Sequence, residues 1–209
     1  ERGIEEARSV ALQAVWMADH GIPTPKPLQG PNGDWITVID NRAWMFQPYV
    51  AGQWIQPTPK ALQSLGRALA LLHQVPSPPG LCPVFNMGFP LFETIVAKVD
   101  ARNMQHPYAE QLREALDSLR SQLPTDVPHG VIHGDLFPSN ALEQEGTLVA
   151  ILDWEEICYE RFALDLAMTV VGHGWQDGKP APERWRALRA GYESIRPLEP
   201  VELETMALF

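Results

Sequence analysis

Three side chains in one short region have the types and spacing to do chemistry together. Asp135 stands five positions before Asn140 in VIHGDLFPSN (Val131–Asn140), and Asp153 follows thirteen positions later, after the apolar run LVAIL. Carboxylates and a carboxamide are hard oxygen donors, the ligands that Mg²⁺ prefers. That ion takes few protein oxygens and leaves room for the phosphates of a substrate. With Asn140 and Asp153 on a metal, Asp135 is left to accept the proton of an attacking hydroxyl. An Asp on the catalytic loop, an Asn five residues on and a second Asp on the metal is the division of labour of kinase phosphoryl transfer.

Any one of these residues alone reads as a turn former. The set is different, because each member needs its own element to place it. Val131 and Ile132 lead in as a strand, and Pro138 keeps the following loop irregular. A β-hairpin turning at EQEG (Glu143–Gly146) spans the gap from Asn140 to Asp153 and returns the chain to the same end of the sheet. The whole stretch from Val131 to about Leu152 reads as a catalytic hairpin.

Around that hairpin the pattern alternates between a small strand-bearing front and a helical back. ERGIEEARSVALQAVWMADHG is a helix with Val10, Ala14 and Met17 on one face and Gly21 as its stop. GIPTPKPLQGPNG is irregular. DWITVID and AWMFQPYV form an antiparallel hairpin through the turn Asp40–Arg42. PKALQSLGRALALLHQV is a helix, with Leu62, Leu65, Leu69 and Leu72 spaced by three and four. PSPPGLCPVFNMGFP is a loop. Helices are expected over LFETIVAKVDARNM and YAEQLREALDSLRSQL, and after the catalytic hairpin over ALDLAMTVVGHGW, APERWRALRAGYES and PVELETMALF. The fold class is therefore α+β, with a partial N-terminal lobe of helix plus hairpin (1–51) and a mostly helical C-terminal lobe (52–209). The sequence starts without Met inside a helical pattern and stops inside another, so both ends of a longer protein are expected beyond it.

Composition narrows the partners. The chain has 209 residues, is 45% apolar, and carries a formal net charge of −10 from 26 acidic and 16 basic residues. Such an acidic chain does not suit nucleic-acid phosphates, and its seven tryptophans do not interleave with basic clusters. A cationic small molecule suits it better, although an acidic surface also serves solubility alone. Cys82 and Cys158 are the only cysteines and form neither a disulfide framework nor a zinc site, which favours a reducing cytoplasm. No apolar run reaches the length of a membrane span.

VIHGDLFPSN…AILDWEEICYERFALDLA resembles the core of the aminoglycoside phosphotransferase and choline kinase superfamily. GVIHGDLFPSNAL, LDLAMTVVGHGW and LRAGYESIRPLEPVELETM are most similar to type II homoserine kinases. The resemblance implies a two-lobed, protein-kinase-like fold that moves the γ-phosphoryl group of ATP, with Mg²⁺, to a hydroxyl of a small molecule. Residue by residue it implies Asp135 as catalytic base, Asn140 and Asp153 as magnesium ligands, and His133 as a brace for the catalytic loop. Asp165 would hold that loop from below, and Gln47, Pro48 and Tyr49 would form the hinge that meets adenine. The phosphate-contacting Lys and the Gly-rich hairpin of such kinases have no counterpart before Lys26. The helix Glu that pairs with that Lys falls near Ser9 or Val10, with Glu5 and Glu6 about one turn away.

Glu155, Glu156 and Glu160 follow Asp153 where an acceptor substrate should sit. They either pair with a substrate amine or form a solvated acidic loop. A homoserine-like acceptor also needs a cation for its carboxylate, and Arg102 and Arg161 are candidates. Choline, ethanolamine and aminoglycosides are alternative acceptors. A protein Ser/Thr kinase and a nucleotide-binding pseudokinase are alternative functions. His73 and His173 read as structural histidines at helix ends, and Trp154 as packing under the metal-binding strand.

Overall fold

The computed structural model of the chain describes residues 3–102 and 106–209. Helix α1 (Ile4–Asp19) buries Ala14 and Met17 completely and leaves Glu5 and Glu6 in its first turn. It ends where Gly21 takes φ +81°, a conformation that glycine adopts without strain. Arg8 ties the helix to the next segment through Asp34, at 2.7 Å. Strands β1 (Thr37–Ile39) and β2 (Arg42–Trp44) then form the expected hairpin. Its two turn residues, Asp40 and Asn41, are both left-handed, as a type I′ turn requires.

The second strand is shorter than the apolar run predicts, because pairing stops at Trp44 rather than continuing to Val50. Pro48 has no N–H to give a ladder. The stretch is instead backed by the Pro-rich segment: the Leu28 N–H donates to the Phe46 carbonyl at 2.9 Å.

Strand β3 (Gln53–Trp54) precedes α2 (Pro59–Leu72), which the Thr58 hydroxyl caps by accepting from the Ala61 N–H at 3.3 Å. Leu62, Leu65, Leu69 and Leu72 are all fully buried, each contributing about 1.5–3 kcal/mol of burial. Helices α3 (Phe89–Ala101) and α4 (Pro107–Gln122) follow. The helix expected over residues 91–104 is seen as far as Ala101, and Asn103 and Met104 lie outside the described residues.

The stretch read as one catalytic hairpin is divided between two sheets. Strand β4 (His129–Ile132) does not pair with the next two strands of the chain. Its antiparallel partner is β7 (Cys158–Arg161), which the sequence reading missed. The hairpin proper is β5 (Ala141–Gln144) with β6 (Thr147–Ile151), turning at Glu145 and Gly146, both left-handed, with β3 on its outer edge. Helix α5 (Phe162–His173) comes next. A two-residue pair, β8 (Trp175–Gln176) with β9 (Lys179–Pro180), replaces the end of the helix expected there. Helices α6 (Pro182–Glu193) and α7 (Pro200–Met206) complete the chain.

Helices α2 and α6 cross with their backbones in contact. A Cβ on Gly66 would lie 2.0 Å from the Leu188 carbonyl oxygen, and one on Gly191 would lie 2.0 Å from that of Gln63. The main hydrophobic core runs through this crossing. It joins Met17 and Ile22 to the α2 leucines, Ile151 of β6, Leu166 of α5, and Leu188 and Tyr192 of α6.

Candidate active site

The loop after β4 is shaped by its glycine. Gly134 has φ +78°, and a Cβ there would meet the Glu156 carbonyl oxygen at 2.6 Å and the Phe85 ring at 3.2 Å. No other residue fits both the conformation and the space. From beneath, the buried Asp165 of α5 accepts the His133 N–H at 2.9 Å and the Gly134 N–H at 3.0 Å. Asp165 thus meets the start of the loop through a pair of backbone hydrogen bonds. His73 brings Nε2 to 3.1 Å of the same carboxylate. Burial works to raise the Asp165 pKa, but the His73 hydrogen bond, nearby histidines and the loop amides together hold it below the usual carboxylate range.

His133 is fully buried. Its Nδ1 accepts the Asp135 N–H at 3.2 Å, and its Nε2 donates to the Leu152 carbonyl at 2.9 Å. A neutral imidazole provides one acceptor and one donor, and burial keeps it neutral by lowering its pKa. One ring therefore links Asp135, on the loop after β4, to the residue just before Asp153.

Asn140 ends a single 3₁₀ turn (Pro138–Asn140) and is buried. Its Nδ2 donates to the Asp135 carbonyl at 2.7 Å and to Asp135 Oδ2 at 2.9 Å. Oδ1, on the other side of the amide, accepts from the Ser139 hydroxyl at 3.4 Å. The Asn140 carbonyl in turn accepts the Leu152 N–H at 2.9 Å, so the hairpin delivers Asp153 beside it. Asp153 is exposed and left-handed, with φ 63°. Asp tolerates that region better than most residues, and its Oδ1 accepts the Glu155 N–H at 3.3 Å. Thus Asp135, Asn140 and His133 are joined by direct hydrogen bonds, and Asp153 by one backbone step.

Trp154 is buried as expected, with its ring 4.9 Å from that of His133. Its Nε1 donates to the Thr24 hydroxyl at 2.9 Å, and the Ile151 N–H donates to the Pro23 carbonyl at 2.7 Å. Thr24 and Phe85 therefore help to shape the site, yet both sit in Pro-rich stretches that read as plain loops. Their sequence signal is only proximity to proline, which says nothing of partners that lie far along the chain, 130 positions away in the case of Thr24. The reading of His73 as a buried histidine holds, but its partner Asp165 was not foreseen.

A cavity of about 640 Å³ opens between α1 and the β1–β2 hairpin, lined by Ala7, Val10, Ile36, Trp44, Met45 and Glu155 among others. Glu155 thus faces the N-terminal side. Glu160 and Arg161 pair with each other at 2.9 Å and border a second, apolar cavity of about 300 Å³ with Phe85, Phe89 and Leu164. Gln47 donates from Nε2 to the Pro25 carbonyl at 2.9 Å, and Tyr49 is 91% exposed, so the expected hinge lies on an open extended segment. Lys26 pairs with Asp19, and Glu5 with Arg8, both at 2.5 Å. Among the described residues no three His, Cys, Asp or Glu side chains converge on a metal position, and no helix is long and apolar enough to cross a membrane.

The chain is similar to known proteins. A homoserine kinase of Parvibaculum lavamentivorans is 32% identical over 200 residues, covering 92% of this chain and 61% of that protein. The chain thus spans about 60% of the length of the curated relatives it matches. The solved structure of spectinomycin phosphotransferase in complex with ADP and spectinomycin aligns with a TM-score of 0.68 at 18% identity, over 96% of this chain and 68% of that one. A choline/ethanolamine kinase family protein from Mesorhizobium loti aligns with a TM-score of 0.66 at 23% identity, over 99% and 67%. The α+β, kinase-like fold is therefore shared with these structures. Residues 5–198, from the first turn of α1 to just before α7, match the model of the phosphotransferase enzyme family, and the chain belongs to that family.

Proposed function

We propose that the protein transfers the γ-phosphoryl group of ATP to a hydroxyl of a small molecule, with an amino alcohol of the homoserine type as the first acceptor. The observation that carries this is the Asp135–Asn140 pair. Asn140 spends its amide nitrogen on Asp135, which orients the carboxylate and turns Oδ1 the other way. In this reading Asp135 accepts the acceptor's hydroxyl proton as the oxygen attacks phosphorus, and much of the remaining rate comes from positioning.

The donor set fits a magnesium ion. Asn140 Oδ1 and the exposed Asp153 carboxylate are the oxygens assigned to it, and a site of one or two protein ligands plus substrate phosphates is normal for this ion. When bound, it neutralises charge that develops on the phosphates. His133 and Asp165 hold the loop, Gln47, Pro48 and Tyr49 are assigned to adenine, and Glu155 and Glu156 to the acceptor's amine. The division into a partial lobe, 1–51, and a catalytic lobe, 52–209, goes with this assignment. A cytoplasmic setting suits an ATP-dependent enzyme with two free thiols, Cys82 and Cys158.

The homoserine kinase relatives favour homoserine over aminoglycosides and choline as the acceptor. A phosphorylation screen of the intact protein with Mg²⁺–ATP against homoserine, choline, ethanolamine, aminoglycosides and a peptide pool tests the proposal. Phosphate transfer to homoserine in preference to the others is expected. Transfer to peptides alone would replace small-molecule with protein kinase activity, and transfer to nothing would leave a nucleotide-binding protein.

A further inference from the structure

The clamp on the catalytic loop does not end at His73. His73 Nδ1 lies 2.7 Å from the Tyr192 hydroxyl, and that hydroxyl lies 3.0 Å from Arg196 Nη1. The same guanidinium nitrogen meets both carboxylate oxygens of Glu202, at 2.9 and 3.1 Å. Glu202, fully buried in α7, also accepts the Glu199 N–H at 3.0 Å. Phe162 stacks on His73 with ring centroids 4.3 Å apart, and the Arg196 guanidinium lies 4.8 Å from the Phe162 ring. A continuous chain, buried except at the partly exposed Arg196, therefore runs from Glu202 of α7 through Arg196, Tyr192 of α6 and His73 to Asp165 of α5, and from there to the two amides before Asp135.

Chemistry fixes the direction of each link. Arginine only donates, so the Tyr192 oxygen accepts from Arg196 and its own hydrogen is left for His73 Nδ1. The Asp165 carboxylate only accepts, so His73 Nε2 carries the ring proton. We propose that Tyr192 is a positioning residue for phosphoryl transfer: its hydroxyl, oriented by the Arg196–Glu202 pair, anchors the Nδ1 side of the His73 ring, so that Nε2–H stays aimed at Asp165 and Asp165 stays on the amides of His133 and Gly134. This rests on the assignment of Asp135 as the base. Without the hydroxyl, Nδ1 is a buried acceptor with no donor, and the ring can tilt away from the carboxylate, loosening the clamp. A tyrosine with no exposed surface needs partners for its hydroxyl, and a merely satisfied hydroxyl would leave the amides of His133 and Gly134 indifferent to its loss.

The test is ¹⁵N NMR of histidine-labelled intact protein, with Tyr192→Phe as the variant and amide hydrogen exchange and kinetics alongside. In the wild type, His73 should show a protonated Nε2 and a bare Nδ1. In the variant, Nε2 should stay protonated while the Nδ1 resonance shifts with the loss of its donor, and exchange at the His133 and Gly134 amides should quicken about tenfold. Turnover should fall while the KM for ATP holds. A folded variant with unchanged exchange at those two amides overturns the proposal. So does a wild-type His73 protonated on Nδ1, a result that needs no variant to fold. If no acceptor is ever phosphorylated, the tautomer and exchange still decide the relay, and only the kinase reading falls.

Discussion

The Asn140 side chain holds Asp135 at two points, its backbone carbonyl at 2.7 Å and its carboxylate at 2.9 Å. One residue thus serves both the proposed metal and the proposed base. Asn140→Ala should weaken Mg²⁺–ATP binding and, by releasing Asp135, also lower turnover at saturating nucleotide. Loss of a hydrogen bond to a charged group is worth about 1.5–3 kcal/mol, or roughly ten- to a hundredfold. Asp153→Ala should act mainly on Mg²⁺–ATP affinity. Nucleotide titrations and saturating turnover separate the two. Equal kcat losses in both would remove Asn140 from the orientation of Asp135.

Asp135→Asn should keep the fold and nucleotide affinity and lose most turnover, since an amide cannot take the hydroxyl proton. Removing a general base typically lowers the rate on the order of a hundredfold to ten-thousandfold. Single-turnover measurements check this, and near wild-type rates would make Asp135 a structural residue.

Glu155→Gln with Glu156→Gln should raise the acceptor KM far more than the ATP KM, because the amine of the acceptor loses its partners. Glu155 lines the cavity beside α1, so the single variants are informative too. A change confined to the ATP KM would place the pair on the nucleotide side and end the amine assignment.

Gly191→Ala should destabilise the fold by about 1–3 kcal/mol or more. The added methyl would collide with the Gln63 carbonyl and push α6 from α2. Gly66→Ala, which meets the Leu188 carbonyl from the other side, should match it. Urea unfolding measures both, and neutral effects would mean that the crossing is looser than described.

Stability should fall in acid. Burial holds the pKa values of His73 and His133 below the usual histidine range, and that of His173 at about 4. The unfolded chain therefore binds protons below pH 6.5 that the folded chain refuses, and each imidazole removes roughly 1.4 kcal/mol per pH unit as the pH falls. Asp165 acts in the same direction at lower pH, because its folded pKa is depressed. Unfolding midpoints should drop steadily from pH 7 to pH 4. A flat profile between pH 7 and pH 5 would contradict the neutral, buried state of these rings.

Much of the site was legible because its geometry is local. The step from Asp135 to Asn140 fits one loop, and the turn at Glu145–Gly146 brings Asp153 back beside it. The α2 leucines declared their helix by spacing alone. What escaped was set by distant partners. Strand β7 is four residues, CYER, with no alternation to mark it, and it exists because β4 needs a neighbour. The end of the run at Trp44 depends on which groups the Pro-rich segment offers, and the polar role of His73 depends on Asp165 and Tyr192. A single sequence shows periodicity and turn chemistry, but it does not show which buried donor meets which acceptor.

The hydrogen bond from Trp154 to Thr24 joins residues 130 positions apart, and that from His73 to Tyr192 joins residues 119 apart. Closing such long loops is slow, and contacts of this span form late in folding. On the ribosome, Asp135, Asn140, Asp153 and the Asp165 that holds their loop all emerge before α6 exists. Tyr192, at the far side of His73, is therefore made after the loop it is proposed to steady, and the order of synthesis leaves that support for last among them.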